Sequence, residues 1–531
     1  MKRIYRLLAL LLALCLTAGL LAGCDEDPND EEKLSVVMTG LFNTMDPALA
    51  ATAAERTVVL HLFDNLLRWD GEKTVSAVAQ SWQETDNEDG TVTYTFHLRG
   101  DAVWSDGSSL TAEDFVYAWK RLVSPDTASP SADILSIVSG YDEARAGDSE
   151  ALQVSAPEEH TFEVTLSGPC AYFLSGVCTA PATMPVQQAA VESDEHWADS
   201  RTYFVGNGPF RRGGDWTDHH RLTLQKQDNH YDAKRIVPDR VELVLQTEEQ
   251  ARINAGRVDV VIGAANEPTG NGGDPTVGLL VVNGMSTNLE RDGLRRALSL
   301  AIDRNALAAD LGGSYVAADG LIPGGIRTGE GEDFRDANGP LIDNDPEGYG
   351  DRCTQAVTEL HQAGYTSAAA MEQLGTVTLL YDSGSGQAAL ARQLQQMWRE
   401  TLGLQVTLQG ASNEEYLQLL TDGAYTLALT ELTAACNDAA AYLEPWRSSD
   451  ARNYALHMNA YDILMRVAAA STSAEARDAY LKDAEQLLLD SGNIIPLYSR
   501  QQPYQIREGV AGAVNDGLGA WYFGSVRRVT Q

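Results

Sequence analysis

From residue 34 onward the chain switches repeatedly between two apolar periods, and that alternation limits it to a mixed fold. Residues 34–38, 91–98, 160–166, 222–225 and 241–245 carry the two-residue period of strands. Val58, Val59, Leu62, Phe63, Leu66 and Leu67 recur at helical spacing, which predicts a helix over 52–67. Thr111 precedes Ala112, Glu113 and Asp114 as an N-cap would, and the early acids suit the helix dipole. A helix over 293–311 puts Leu294, Ala297, Leu298, Ala301 and Ile302 on one face. Residues 264–275 and 324–350 are rich in Gly, Asn, Pro or acids and read as loops. Strands are expected at 279–282, 377–381, 404–408, 425–429 and 494–498, and helices at 387–402, 414–421, 460–470 and 474–489. Such mixing throughout places the chain in the α/β or α+β class. Its 531 residues correspond to about three domains.

Acids outnumber bases 75 to 39, for a net charge of −36. That excess argues against nucleic acid as a partner, and against docking on anionic lipid through a basic face. The hydrophobic fraction of 44% excludes a mostly disordered chain.

Lys2, Arg3 and Arg6 precede an uncharged run over 7–22, the pattern of a secretory signal. The run ends in Leu21-Ala22-Gly23-Cys24, which resembles a bacterial lipobox. Residues 1–23 are therefore expected to be a lipoprotein signal peptide and Cys24 a lipidated first mature residue. A plain export signal with an incidental Cys is the alternative. Residues 24–33 read as an acidic tether. In an exported chain Cys170 can pair with Cys178; otherwise Cys170, Cys178, Cys353 and Cys436 are buried or free thiols.

No phosphate-binding loop, zinc-protease motif or nucleophile elbow is present, so no catalytic residue, cofactor or metal is expected. His219, His220 and His230 fall around an expected hairpin, where surface His is common. Asp343, Asp345, Glu347, Gly348 and Asp351 match part of a calcium loop, but Thr354 stands where a bidentate Glu is needed.

Further motifs fall in an order that is informative as a set. Ala79-Gln-Ser-Trp82, Gly90 through Arg99, Trp104-Ser-Asp-Gly107 and Leu110 through Arg121 follow one another, and the stretch closes with Pro125 through Pro130. Met45-Asp46-Pro47, Gly206-Asn-Gly-Pro-Phe210, Leu294 through Arg304 and Pro496-Leu497-Tyr498 lie on either side. This set resembles the extracellular solute-binding proteins of family 5, the oligopeptide-, dipeptide- and nickel-binding lipoproteins of ABC importers.

The resemblance implies an α/β, two-lobed periplasmic-binding-protein-like fold with an extra subdomain and a ligand cleft between the lobes. Residues 34–79, 205–282 and 496–531 would form lobe 1, residues 80–204 its extra subdomain, and residues 283–495 lobe 2. It implies a monomeric, non-enzymatic receptor at the outer face of the cell membrane that delivers oligopeptides or dipeptides to ABC permease subunits. A non-peptide solute or a metal chelate is the alternative ligand, and a surface lipoprotein enzyme or chaperone the remote one. Phe42, Asn43 and Met45, with Glu431, Leu432, Thr433, Ala434, Ala435, Asn437 and Asp438, are the ligand-binding residues it suggests. In peptide-binding relatives an Asp in the second group pairs with the ligand's α-ammonium, and here that position falls on Ala435. Glu431 or Asp438 would then have to substitute, or the ligand is not held by a free amino end.

Overall fold

The computed structural model describes residues 33–529, apart from residues 201, 215–219, 285–288, 451, 454 and 472. The signal segment, Cys24 and most of the tether lie outside the described residues.

β1 (Lys33–Thr39) is followed by α1 (Ala53–Leu62) and the short β2 (Leu67–Trp69). β3 (Ala79–Asp86), β4 (Val92–Leu98), β5 (Val154–Glu158) and β6 (Thr161–Leu166) form a separate four-stranded antiparallel sheet in the order β3-β4-β6-β5. The alternating apolar side chains of β4 and β6 face α2 (Ala112–Val123), where Trp119 meets Phe162 edge-on at 5.2 Å. Thr111 and Asp114 make the capping box that starts α2.

A larger, eleven-stranded sheet runs through the whole molecule. It contains β7 (Phe210–Gly213), β8 (Arg221–Lys226), β9 (Arg240–Gln246), β10 (Val260–Ile262) and β11 (Gly270–Val282). β12 (Val377–Asp382), β13 (Val406–Ala411), β14 (Leu427–Thr433) and β15 (Ile494–Ile506) complete it with β1. The order is β13-β12-β14-β11-β15-β10-β1-β9-β8-β7, and Tyr315–Ala317 pairs alongside β15. One end of this sheet shares a core with the four-stranded sheet, and the other end is covered by lobe 2 helices. The fold is thus a two-lobed α/β architecture.

β11 and β15 are antiparallel partners and the only strands of the sheet with thirteen residues among those described. Their pairing runs from Gly270 opposite Tyr504 to Gly273 opposite Gln501, breaks, and resumes from Val277 opposite Ser499 to Val281 opposite Ile494. Beyond the break, β11 is also bonded to β14, so the second half of the pair lies inside the lobe 2 sheet. Residues 277–282 are buried without alternation, as befits a strand covered on both faces.

Three local expectations fail, two of them for tertiary reasons. The helix expected over 52–67 stops at Leu62, because the Gly208 N–H donates to the Leu62 carbonyl at 2.9 Å and the Gly206–Gly208 turn packs directly on that end. The helix expected over 293–311 is two, α3 (Asp292–Leu300) and α4 (Arg304–Leu311), because Asp303 caps the second by accepting from the Ala306 N–H. The loop expected over 264–275 gives way at Gly270 to β11, where a side chain at Gly273 would overlap the Gly517 carbonyl.

Candidate functional site

Thr433 ends β14, and the chain then turns through residues 434–438 into the short helix Ala440–Leu443. This turn forms one wall of a cavity of about 350 Å³ between the lobes. Thr433, Ala434, Ala435, Cys436 and Asn437 line it from lobe 2, together with Arg327. From the other side come Arg56 and Leu60 of α1, Asp64, Leu67, Arg68 and Trp69, residues of the subdomain around Ser175–Met184, and the C-terminal Val514–Tyr522 segment.

The lobes touch around this cavity. The Asp516 carbonyl accepts from Arg327 Nη2 at 2.7 Å and from Asn437 Nδ2 at 2.8 Å. Asn437 Oδ1 accepts from the Arg327 N–H, and its Nδ2 also donates to the Gly325 carbonyl. Arg327 lies 3.6 Å above the Trp69 ring, a close cation–π contact between lobes. Cys436 packs closely on Gly176, where an added Cβ would lie 3.0 Å from the Cys436 Cβ.

The cavity carries five charged side chains: Arg56, Asp64, Arg68, Arg327 and Asp516. Asp64 accepts from the Tyr231 hydroxyl and lies 3.5 Å from His230 Nε2 and 3.9 Å from Arg68. Burial pushes its pKa up, but His230, Arg68 and Tyr231 together outweigh that and hold it below the ordinary carboxylate value. Arg68 also donates to Asp232 at 2.7 Å. Asp516 accepts from the Leu518 and Ala520 N–H groups at 2.7 and 3.0 Å, and burial raises its pKa against the opposing pull of Arg56. Burial draws the Arg327 guanidinium down to about 10, and Asp516 only partly offsets it.

Of the residues expected from sequence, Thr433, Ala434, Ala435 and Asn437 line this cavity. Six others do not. Phe42 and Met45 are buried in the lobe 1 core, and Asn43 donates its N–H and its Nδ2 to Glu55. Leu432 packs against a lobe 2 core. Glu431 accepts from the Tyr498 hydroxyl at 2.9 Å. Asp438 is buried, paired with Arg477 at 2.5 Å, and accepts from the Ala440 N–H, so it starts a helix and balances a buried charge. Asp438 is thus not spare for an ammonium group, while Glu431 lies outside this cavity.

Cys170 and Cys178 are free thiols, as are Cys353 and Cys436. The helical turn Phe173–Val177 holds Cys178 in the core, while Cys170 faces a second cavity alongside Asp133 and Arg452. Burial raises both thiol pKa values, Cys170 to about 12. His230 is committed to Asp64, and among the described residues no cluster suited to a metal occurs. Sequence reasoning missed Arg327, Trp69, Arg56 and Asp516. The available signal was weak: Arg327 is a base inside a Gly- and acid-rich loop.

Residues 73–454 match the model for bacterial extracellular solute-binding proteins, family 5 Middle. The "Probable deoxycholate-binding periplasmic protein YgiS" of Escherichia coli is 30% identical over 480 residues, covering 86% of this chain and 85% of that protein. The dipeptide-binding protein DppE of Bacillus subtilis is 25% identical and covers 98% of both chains. The periplasmic oligopeptide-binding protein OppA of Escherichia coli is 29% identical over 88% of this chain and 87% of its own. Among solved structures, the unliganded open form of the murein tripeptide binding protein MppA superposes with a TM-score of 0.75 at 24% identity, over 94% of this chain and 98% of that one. Haemophilus influenzae OppA in complex with RPPGFSPFR gives 0.69 at 24% identity, over 94% and 99%. The chain belongs to the bacterial extracellular solute-binding proteins of family 5.

Proposed function

We propose that this protein captures short peptides outside the cell membrane by closing two lobes on them, and hands them to the permease of an ABC importer. The observation that carries this reading is the cavity walled by both lobes and bridged by Arg327 and Asn437 to the Asp516 carbonyl. A volume of about 350 Å³ is near the lower end of ligand pockets, which run roughly 300–1,000 Å³, and suits a ligand of dipeptide or tripeptide size. Relatives named for dipeptide and oligopeptide binding support it. Lobe 1 comprises residues 34–79, 205–276 and 499–531, with the subdomain at 80–204 and lobe 2 at 277–498. The crossovers are moved from the expected 282 and 496 because residues 277–282 and 494–498 pack in the lobe 2 cores. The register break between Gly273 and Val277 is the hinge. The chain acts as a monomeric receptor, not an enzyme, and Cys24 anchors it by lipid. Calorimetry with di- and tripeptides tests the reading, and saturable binding with a smaller radius of gyration in scattering is expected. Absence of binding across such a panel refutes it. Cys24→Ser is expected to move the protein from the membrane to the soluble fraction.

A second ligand class is favoured by the apolar walls, which include Leu60, Leu67, Pro130, Pro181, Met184 and Leu518. They suit an amphipathic carboxylic acid such as the deoxycholate of the relative's name. Titration with deoxycholate beside the peptides separates the two.

A further inference from the structure

We infer that Arg327 selects the ligand by a carboxylate group, which it receives in the cavity between Trp69 and the turn at residues 435–437. The inference rests on the binding function proposed above and names the chemistry that the cavity recognises.

Arg327 lines the cavity, is partly buried, and makes no ion pair among the described residues. Its Nη2 is spent on a neutral carbonyl, that of Asp516. The opposing charge that acts on it is the Asp516 carboxylate, which accepts from the Leu518 and Ala520 amides. A guanidinium drawn out of water without a counter-charge is unfavourable, and its lowered pKa reports that situation. The contact with Trp69 and the bond to the Asp516 carbonyl hold the guanidinium in place, and its remaining N–H groups form the fork that suits a carboxylate.

Arg56 strengthens the case from lobe 1. It also lines the cavity and makes no ion pair among the described residues; its Nη1 and Nη2 donate to the carbonyls of Ala51 and Leu518. Its Nε is buried without a hydrogen-bond partner. The third arginine, Arg68, is already matched by Asp232 and Asp64. Two guanidinium groups without an ion pair among the described residues therefore face one cavity, and the single Asp516 carboxylate is shared between them. Because Arg327 comes from lobe 2 and Trp69 from lobe 1, a carboxylate seated on Arg327 is bound in the closed form and favours it.

The test compares acid with amide. Alanyl-phenylalanine, its C-terminal amide and deoxycholate are titrated calorimetrically into wild type, Arg327→Gln and Arg327→Lys. Wild type is expected to prefer the free-acid dipeptide over its amide by roughly tenfold or more, the range of a charge-assisted hydrogen bond. Arg327→Gln should abolish that preference and weaken any deoxycholate binding to a similar degree. Arg327→Lys keeps the charge but loses the flat contact with Trp69, and should retain part of the preference. Which acid binds wild type identifies the source of the carboxylate. An Arg327 that only braces the lobes would lower acid and amide affinities equally, and that result overturns the inference. So does an amide that binds wild type as tightly as the acid. If no probe binds, the reading of the cavity as a site for these ligand classes fails first, and this inference falls with it.

Discussion

Arg477 donates to Asp438 at 2.5 Å with both side chains almost wholly buried, so the acid that sequence places beside the ligand is held by the protein itself. Burial lowers the Arg477 pKa, but the charge of Asp438 more than reverses that and raises it. Asp438→Asn leaves a buried guanidinium without its partner and is expected to cost about 3–5 kcal/mol of stability. Denaturant unfolding measures it. Replacing both residues together, Asp438→Leu with Arg477→Met, should recover most of the loss, and a double variant as unstable as the single one would contradict this account.

Glu431→Gln should leave ligand affinity within about threefold, because its carboxylate serves the Tyr498 hydroxyl across β14, β11 and β15 and not the cavity. A fall of tenfold in calorimetry would bring Glu431 back among the ligand-reading groups.

His61 predicts an acid-sensitive fold. It is fully buried, its Nδ1 bonds the Thr57 carbonyl, and its Nε2 accepts from the Phe523 N–H. Desolvation lowers its pKa from 6.5 to about 4, with Thr57 opposing. The folded state therefore binds fewer protons than the unfolded one below pH 6.5. This contribution to stability is complete above pH 6.5 and is lost as pH falls toward 4, amounting to about 2 kcal/mol by pH 5. Melting curves from pH 7.5 to 5 should show the loss, and His61→Gln should flatten it. An unchanged slope in that variant would assign the acid sensitivity elsewhere.

Gly517 has φ of +81° and sits against Asn437, so a methyl group there would be strained and would overlap Asn437 Nδ2. Gly517→Ala should prise the C-terminal turn away from lobe 2. Ligand affinity is expected to fall roughly tenfold or more, with a larger radius of gyration at equal ligand concentration. Wild-type affinity in this variant would show that the contact does not hold the lobes together.

Cys170 and Cys178 should both alkylate after unfolding without reductant. The tryptic peptide over residues 146–201 carries just these two and should gain two labels. A peptide two mass units light and unlabelled would establish the disulfide.

Local chemistry was readable where it suffices by itself. Thr111 and Asp114 cap α2 with side chains three residues apart, and residues 377–382 pair as their pattern suggests. It was unreadable where a distant segment decides. Gly270–Gly273 look like loop because glycine is poor in strands, yet the Trp521 ring lies close on Gly272, and the Gly517 carbonyl excludes a side chain at Gly273. Leu66 and Leu67 keep a helical period by coincidence, since the Leu67 N–H goes to the Cys178 carbonyl. The cavity divides the same way. Residues 433–437 form one short run that a resemblance can find. Arg327 is 258 positions from Trp69 and 189 from Asp516 along the chain, and the three meet only where the lobes touch.

β15 lies between β11 and β10, in the middle of the large sheet, yet it is formed from residues 494–506, far along the chain from both. Synthesis therefore delivers both neighbours long before the strand that joins them. Until it arrives, β10 and β11 each expose an unpaired edge, and the two lobes share no ladder. A nascent chain with that vacancy cannot lock into its final form early. The ladder that joins the two lobes is therefore completed only after β15 has been made, long after β10 and β11.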